Sequence, residues 1–85
     1  MKEFFYTVTD EVGIHARPAG LLIKEASKYK SDITISKGEK SANAKKIFGI
    51  MGLAVKCGDE IKVTVCGEDE NRAASELENF FKTNI

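Results

Sequence analysis

The chain has 85 residues, 42% of them hydrophobic and 31% charged, with 13 basic and 13 acidic side chains and a formal net charge of zero. That length holds one core, so residues 1–85 are expected to form a single domain, and a second domain is excluded. The balanced charge excludes bulk electrostatics as the basis of nucleic-acid or membrane-surface binding, and any charge-based recognition has to be local.

The first stretch, "MKEFFYTVTDE", carries an acid at Glu3 and an apolar run too short for a signal sequence or a membrane span, so a cytoplasmic protein is expected. Phe4, Tyr6 and Val8 recur at a period of two, the pattern of a strand with one covered face. After "DEVG" the period changes. Ala19, Leu22, Ile23, Ala26 and Tyr29 recur at spacings of three and four, which predicts a helix from about Ala16 to Lys28. Ile33 and Ile35 then alternate ahead of the turn signal "KGEK", predicting a hairpin that leads into a short third strand.

"KKIFGIMGLAV" is apolar almost all round and is interrupted by two glycines, Gly49 and Gly52; it reads as a short helix with an apolar outer side. Ile61, Val63 and Val65 mark a fourth strand. Ala73, Ala74, Leu77, Phe80 and Phe81 mark the inward face of a final helix, whose acids Glu68, Asp69 and Glu70 stand where a helix dipole favours negative charge. Strands covered on one face and joined partly by hairpins predict an α+β fold: a four-stranded, mostly antiparallel sheet with three helices on one face, a two-layer sandwich.

The cysteines, Cys57 and Cys66, flank the fourth strand. A strand rises about 3.3 Å per residue, which carries the pair far beyond the roughly 7 Å Cα separation that a disulfide tolerates. Two reduced, partly buried thiols are expected. With no CxxC pair and one histidine, no metal site is expected.

The chemistry concentrates in "GIHARPAG", residues 13–20, which holds the only histidine and the only proline of the chain. A lone histidine at a strand-to-helix junction serves in its plainest role as a cap or a polar loop residue. Its neighbours argue for more. Pro18 fits the first helical turn, where its missing N–H deprives the helix of nothing, so the helix is expected to start near Ala16 with His15 at the N-cap. A helix N-terminus presents unpaired N–H groups and partial positive charge, which keep an imidazole neutral and welcome an anion. Arg17 adds a fork that suits phosphate oxygens. His15 as a covalent phosphoryl acceptor, with the Ala16 and Arg17 amides and the Arg17 side chain holding the phosphate, makes sense of the group. No residues suggest a Ser–His hydrolytic pair or a nucleotide-binding GxxxxGK[ST] loop, so no cofactor is expected and partner proteins would supply and remove the phosphate.

These residues resemble those of the HPr family, the histidine-containing phosphocarriers of the bacterial phosphoenolpyruvate-dependent sugar phosphotransferase system. "GIHARPA" is similar to the family's active-site motif and "KKIFGIMGLAV" to its second-helix segment, and the element order agrees over the whole chain. The resemblance implies an open-faced β-sandwich of four antiparallel strands and three helices, and a cytoplasmic carrier rather than an enzyme. It implies that His15 takes a phosphoryl group on Nδ1 from phosphorylated enzyme I and passes it to enzyme IIA domains, with Arg17 neutralising the moving charge and Pro18 holding the start of the helix. Ile47, Phe48 and Met51, with Gly20, Ile23 and Lys24, would form the docking surface for those partners and for regulators, whereas Ile50 and Leu53 are expected in the core. A monomer is expected. Where family members of Gram-positive type carry a regulatory serine at the start of the second helix, this chain has Lys46, so serine phosphorylation is expected to be absent.

Two other classes compete. A regulatory binding module would use the fold and the apolar patch without carrying phosphate, but paralogues of that kind lack the histidine that this chain retains. An RNA-binding sandwich needs aromatic residues on its central strands, and "ITIS" and "IKVTV" contain none.

Overall fold

The computed structural model describes residues 1–9 and 16–84, without the side chains of residues 16–18. Four strands and three helices follow one another as β1 (Lys2–Thr7), α1 (Ala16–Ala26), β2 (Asp32–Lys37), β3 (Lys40–Asn43), α2 (Ile47–Gly52), β4 (Glu60–Cys66) and α3 (Glu70–Asn84). The strands form one sheet in the order β1-β4-β2-β3, and every pairing is antiparallel. This is the expected α+β architecture, with β4 and β2 at its centre.

Register decides which side chains meet the helices. Val63 lies opposite Phe4 on β1 and Ile35 on β2, and Val65 lies opposite Ile33, so alternate residues of the central strands share one face. Ile33, Ile35, Ile61, Val63 and Val65 are all buried, as are Leu22, Ile50, Leu77 and Phe81 from the three helices. Phe81 gathers the edge of this core: its ring lies 6.1 Å from that of Phe4, 5.5 Å from Tyr6 and 5.9 Å from Phe80. Phe4 and Tyr6 are accordingly half-buried, covered by one helix and not by two layers.

Two boundaries differ from the periodicity. β1 ends at Thr7, and Val8 is buried beyond it, its N–H donating to the Asp59 carbonyl at 3.0 Å. α1 ends at Ala26 rather than Lys28 because the chain tightens: the Lys28 and Tyr29 amides donate three residues back, to Glu25 and Ala26. Tyr29 still points into the core, so it fits the apolar stripe without being helical. The cysteines require a correction. Cys57 and Cys66 are free, and both are exposed rather than partly buried. Cys57 stands in the turn before β4, and Cys66 has the strand parity opposite to Ile61, Val63 and Val65, on the sheet face that carries no helix.

The start of α3 is locked to the start of β2. Asp69 accepts the Lys30 and Ser31 amides, each at 3.0 Å, and also the Ser31 hydroxyl. Ser31 is the one buried polar residue among those described. These bonds, the Ser31 hydroxyl foremost, push the Asp69 carboxyl down to about 2. At Gly67 the backbone passes so close to Ser31 that a Cβ there would stand 2.6 Å from its Cα and 2.7 Å from its Oγ.

Two outcomes are expected. Gly67→Ala destabilises the domain by about 1–3 kcal/mol, the usual cost of forcing extra volume into a packed site, measured by urea unfolding. Because the Asp69 pKa is lowered on folding, its contribution is complete above the unfolded value of about 3.9 and is lost as pH falls toward 2. The stability gap between the wild type and Asp69→Asn should therefore be constant near neutrality and close progressively below pH 4.

Candidate functional site

α1 starts at Ala16, as the placement of Pro18 demands, and its backbone includes Arg17 even though that residue precedes proline. His15 and the side chains of Ala16, Arg17 and Pro18 lie outside the described residues. Beyond them, Gly20 and Ile23 are half-buried and Lys24 is exposed, whereas Ala19, Leu22 and Ala26 are buried. Leu21 is 44% exposed and was not marked by its sequence pattern. The signal was available: position 21 lies on the helix face of Lys24, opposite the buried stripe of Ala19, Leu22 and Ala26.

α2 is in contact with α1 and divides its apolar residues between two sides. Ile50 and Leu53 face the core, at 0% and 3% exposure, while Phe48 is 87% exposed and Met51 41%. Ile47 is half-buried and packs against the core, so it forms the floor of the patch rather than its summit. The helix has poor ends. Lys46 takes the N-cap in an extended conformation, with φ −121° and ψ 109°, and its side chain makes no capping hydrogen bond. A lysine has no acceptor to offer the orphan amides, and its charge opposes the dipole.

The surroundings of the patch are basic. α2 contains no charged residue, and Lys45 and Lys46 precede it; Lys45 Nζ donates to the Tyr29 carbonyl at 2.8 Å. The only acid of α1, Glu25, is turned away from solvent, with Oε2 2.9 Å from the Tyr29 hydroxyl and Oε1 3.1 Å from Lys28 Nζ. The Tyr29 hydroxyl, whose one proton the two carboxylates share, lies closer to Glu76 Oε2, at 2.6 Å, and with Arg72 it holds the Glu76 carboxyl below the usual range. Among the described residues, no group of three or more His, Cys, Asp or Glu side chains is placed to hold a metal ion, and no helix is long and apolar enough to cross a membrane.

The sheet is covered on one face, and α2 packs against α1 with the Phe48 ring and the Met51 side chain left exposed. The family model described as "PTS HPr component phosphorylation site" matches residues 2–83. The chain is 48% identical over 73 residues to the phosphocarrier protein HPr of Mycoplasma capricolum, covering 86% of this chain and 82% of that protein. It is 39% identical over 75 residues to the HPr-like protein Crh of Bacillus subtilis, covering 88% of each. The crystal structure of HPr from Thermoanaerobacter tengcongensis superposes with a TM-score of 0.94 at 39% identity, covering 99% of this chain and 94% of the other. The chain belongs to the HPr family of phosphocarrier proteins of the phosphotransferase system.

Lys46→Ser should supply the missing cap and raise stability by about 0.5–2 kcal/mol. Phe48→Ala, which removes an exposed ring, should leave stability within about 0.5 kcal/mol of the wild type. Denaturant unfolding of both variants measures the two effects side by side.

Proposed function

We propose that residues 1–85 are a single phosphocarrier domain, acting as a monomer in the cytoplasm, in which His15 takes a phosphoryl group from phosphorylated enzyme I and passes it to enzyme IIA domains during sugar uptake. Membership of the HPr family supports the carrier role. The observation that carries the docking reading is Phe48, 87% exposed on a helix whose other side is fully buried and which packs beside α1. An aromatic ring left in water next to a helix that begins with the motif is an anchor for a partner surface.

In this reading His15 Nδ1 attacks phosphorus as the bond to the donor breaks. The amides of Ala16 and Arg17 donate to the phosphoryl oxygens at the positive end of α1, and the Arg17 guanidinium balances the charge in flight. Pro18 sets the first turn of the helix. Phe48 and Met51, floored by Ile47 and flanked by Gly20, Ile23 and Lys24, dock successive partners. Leu21 joins them, since it is exposed and shares its helix face with Lys24. Lys46 places a fixed positive charge where a regulatory phosphoserine would place a negative one, so the serine branch of regulation is absent.

The similarity to Crh makes a purely regulatory module the competing reading. His15 and Arg17 favour the carrier, and one experiment separates the two. Incubation with enzyme I and phosphoenolpyruvate should give an acid-labile phosphoryl adduct by intact mass, absent from His15→Ala. No adduct with any enzyme I favours the regulatory module. Phe48→Ala should weaken productive encounter with enzyme I by about 2 kcal/mol, seen as a raised KM for the carrier. HPr kinase with ATP should leave the wild type unmodified but phosphorylate Lys46→Ser, and phosphopeptide mapping checks whether another serine such as Ser41, on β3, is used instead.

A further inference from the structure

α2 does not hold itself in place. Six residues are too few for a stable isolated helix, and Lys46 offers no cap. At the other end the Leu53 amide donates to the Ile50 carbonyl at 3.2 Å and the Ala54 amide to the Met51 carbonyl at 3.1 Å. Ala54 has φ of 53°, the one non-glycine residue with positive φ among those described. A residue with a Cβ stays in that region only where its surroundings hold it.

The hold comes from β2. Lys37 Nζ donates to the Ala54 carbonyl at 2.9 Å and lies 2.9 Å from Asp59 Oδ2. Asp59 Oδ2 also accepts the Lys56 amide at 2.8 Å, and Lys37 and that amide together hold the carboxyl below its ordinary range. The same turn is fastened to the end of β1. The Val8 amide donates to the Asp59 carbonyl at 3.0 Å, and the Gly58 amide donates to the Val8 carbonyl at 2.8 Å. Lys37 therefore stands where the exit of the docking helix meets the chain that leads toward His15.

We propose that Lys37 is a positioning residue for partner docking: oriented by Asp59, its ammonium fixes the left-handed Ala54, so that α2 presents Phe48 and Met51 in one arrangement. This rests on the reading of α2 as the docking helix. Without the ammonium the Ala54 carbonyl loses its donor, the last turn of α2 relaxes, and the partner has to reorder it on binding. Affinity falls, and the chemistry at His15 does not.

The test uses the whole chain and four proteins: wild type, Lys37→Met, Lys37→Arg, and Lys37→Met with Ala54→Gly. Phosphoryl transfer from enzyme I with phosphoenolpyruvate is followed with the carrier as the varied substrate, and amide hydrogen exchange is measured alongside. Lys37→Met should raise KM about three- to tenfold, the span that one net hydrogen bond produces, and leave kcat within about twofold. Exchange should quicken at Leu53 and Ala54 and hold steady at Val63 in β4. Lys37→Arg should restore both readouts. So should Ala54→Gly in the Lys37→Met background, since glycine adopts positive φ without support. The proposal is overturned by unchanged KM and exchange in Lys37→Met, by exchange that quickens uniformly over the sheet, or by a loss in kcat alone. Absence of transfer to the wild type would instead remove the carrier reading, and the exchange comparison would by itself decide whether Lys37 holds Ala54.

Discussion

Everything in this fold answers to one constraint: the sheet has a single apolar face, and all three helices must share it. Ile33, Ile35, Ile61, Val63 and Val65 point to that side because antiparallel register aligns their parity across β2 and β4. Burying each such side chain contributes about 1.5–3 kcal/mol, so helices are held over that face far more strongly than any surface ion pair could hold them. α1 and α3 satisfy the requirement along their lengths, through Ala19, Leu22 and Ala26 and through Ala73, Leu77 and Phe81. α2 can satisfy it only partly. With six residues it commits Ile50 to the core, is followed at once by the buried Leu53, and leaves Phe48 and Met51 on the outside.

That partial burial has consequences for energetics and for function. An apolar residue in water is stability-neutral at best, so the exposed Phe48 ring adds nothing to the core, and in the reading proposed above it serves a complex. The helix that carries it lacks a side-chain cap at Lys46 and leaves through a left-handed alanine. Its placement rests on its own Ile50, buried in the core, and, as proposed above, on the Lys37–Asp59 pair at its exit. The start of α3 is organised differently. Asp69, Ser31 and Gly67 tie α3 to β2 by polar contacts and close backbone approach. α2 has no such tie at its N-terminus, where Lys46 makes no side-chain capping bond.

Much of this was legible in the residues. Period-two alternation marked β2 and β4, and period-3.6 stripes marked α1 and α3, because those elements each bury one face and the burden of burial is written into the spacing. The split of α2 into Ile50 and Leu53 against Phe48 and Met51 was not legible in periodicity, since the segment is apolar almost all round; it was implied by the family resemblance, and the burial agrees with it. Element ends were less legible. α1 stops at Ala26 because its last turn tightens to bonds three residues back, and β1 stops at Thr7 although Val8 continues the apolar alternation, because the Val8 amide bonds to Asp59, far along the chain.

The sequence by itself determined the class of fold, most of the core and the motif around His15, since all three depend on residue type at short spacing; Ile23, Ala74 and Phe80 fit the inward stripes yet are only half-buried. Only the tertiary structure decided that Asp69 reaches back to Lys30 and Ser31, and that Lys37 meets Ala54 and Asp59. These are contacts between residues far apart in the chain. Such features depend on where three helices settle over one sheet, and a local pattern carries no record of that.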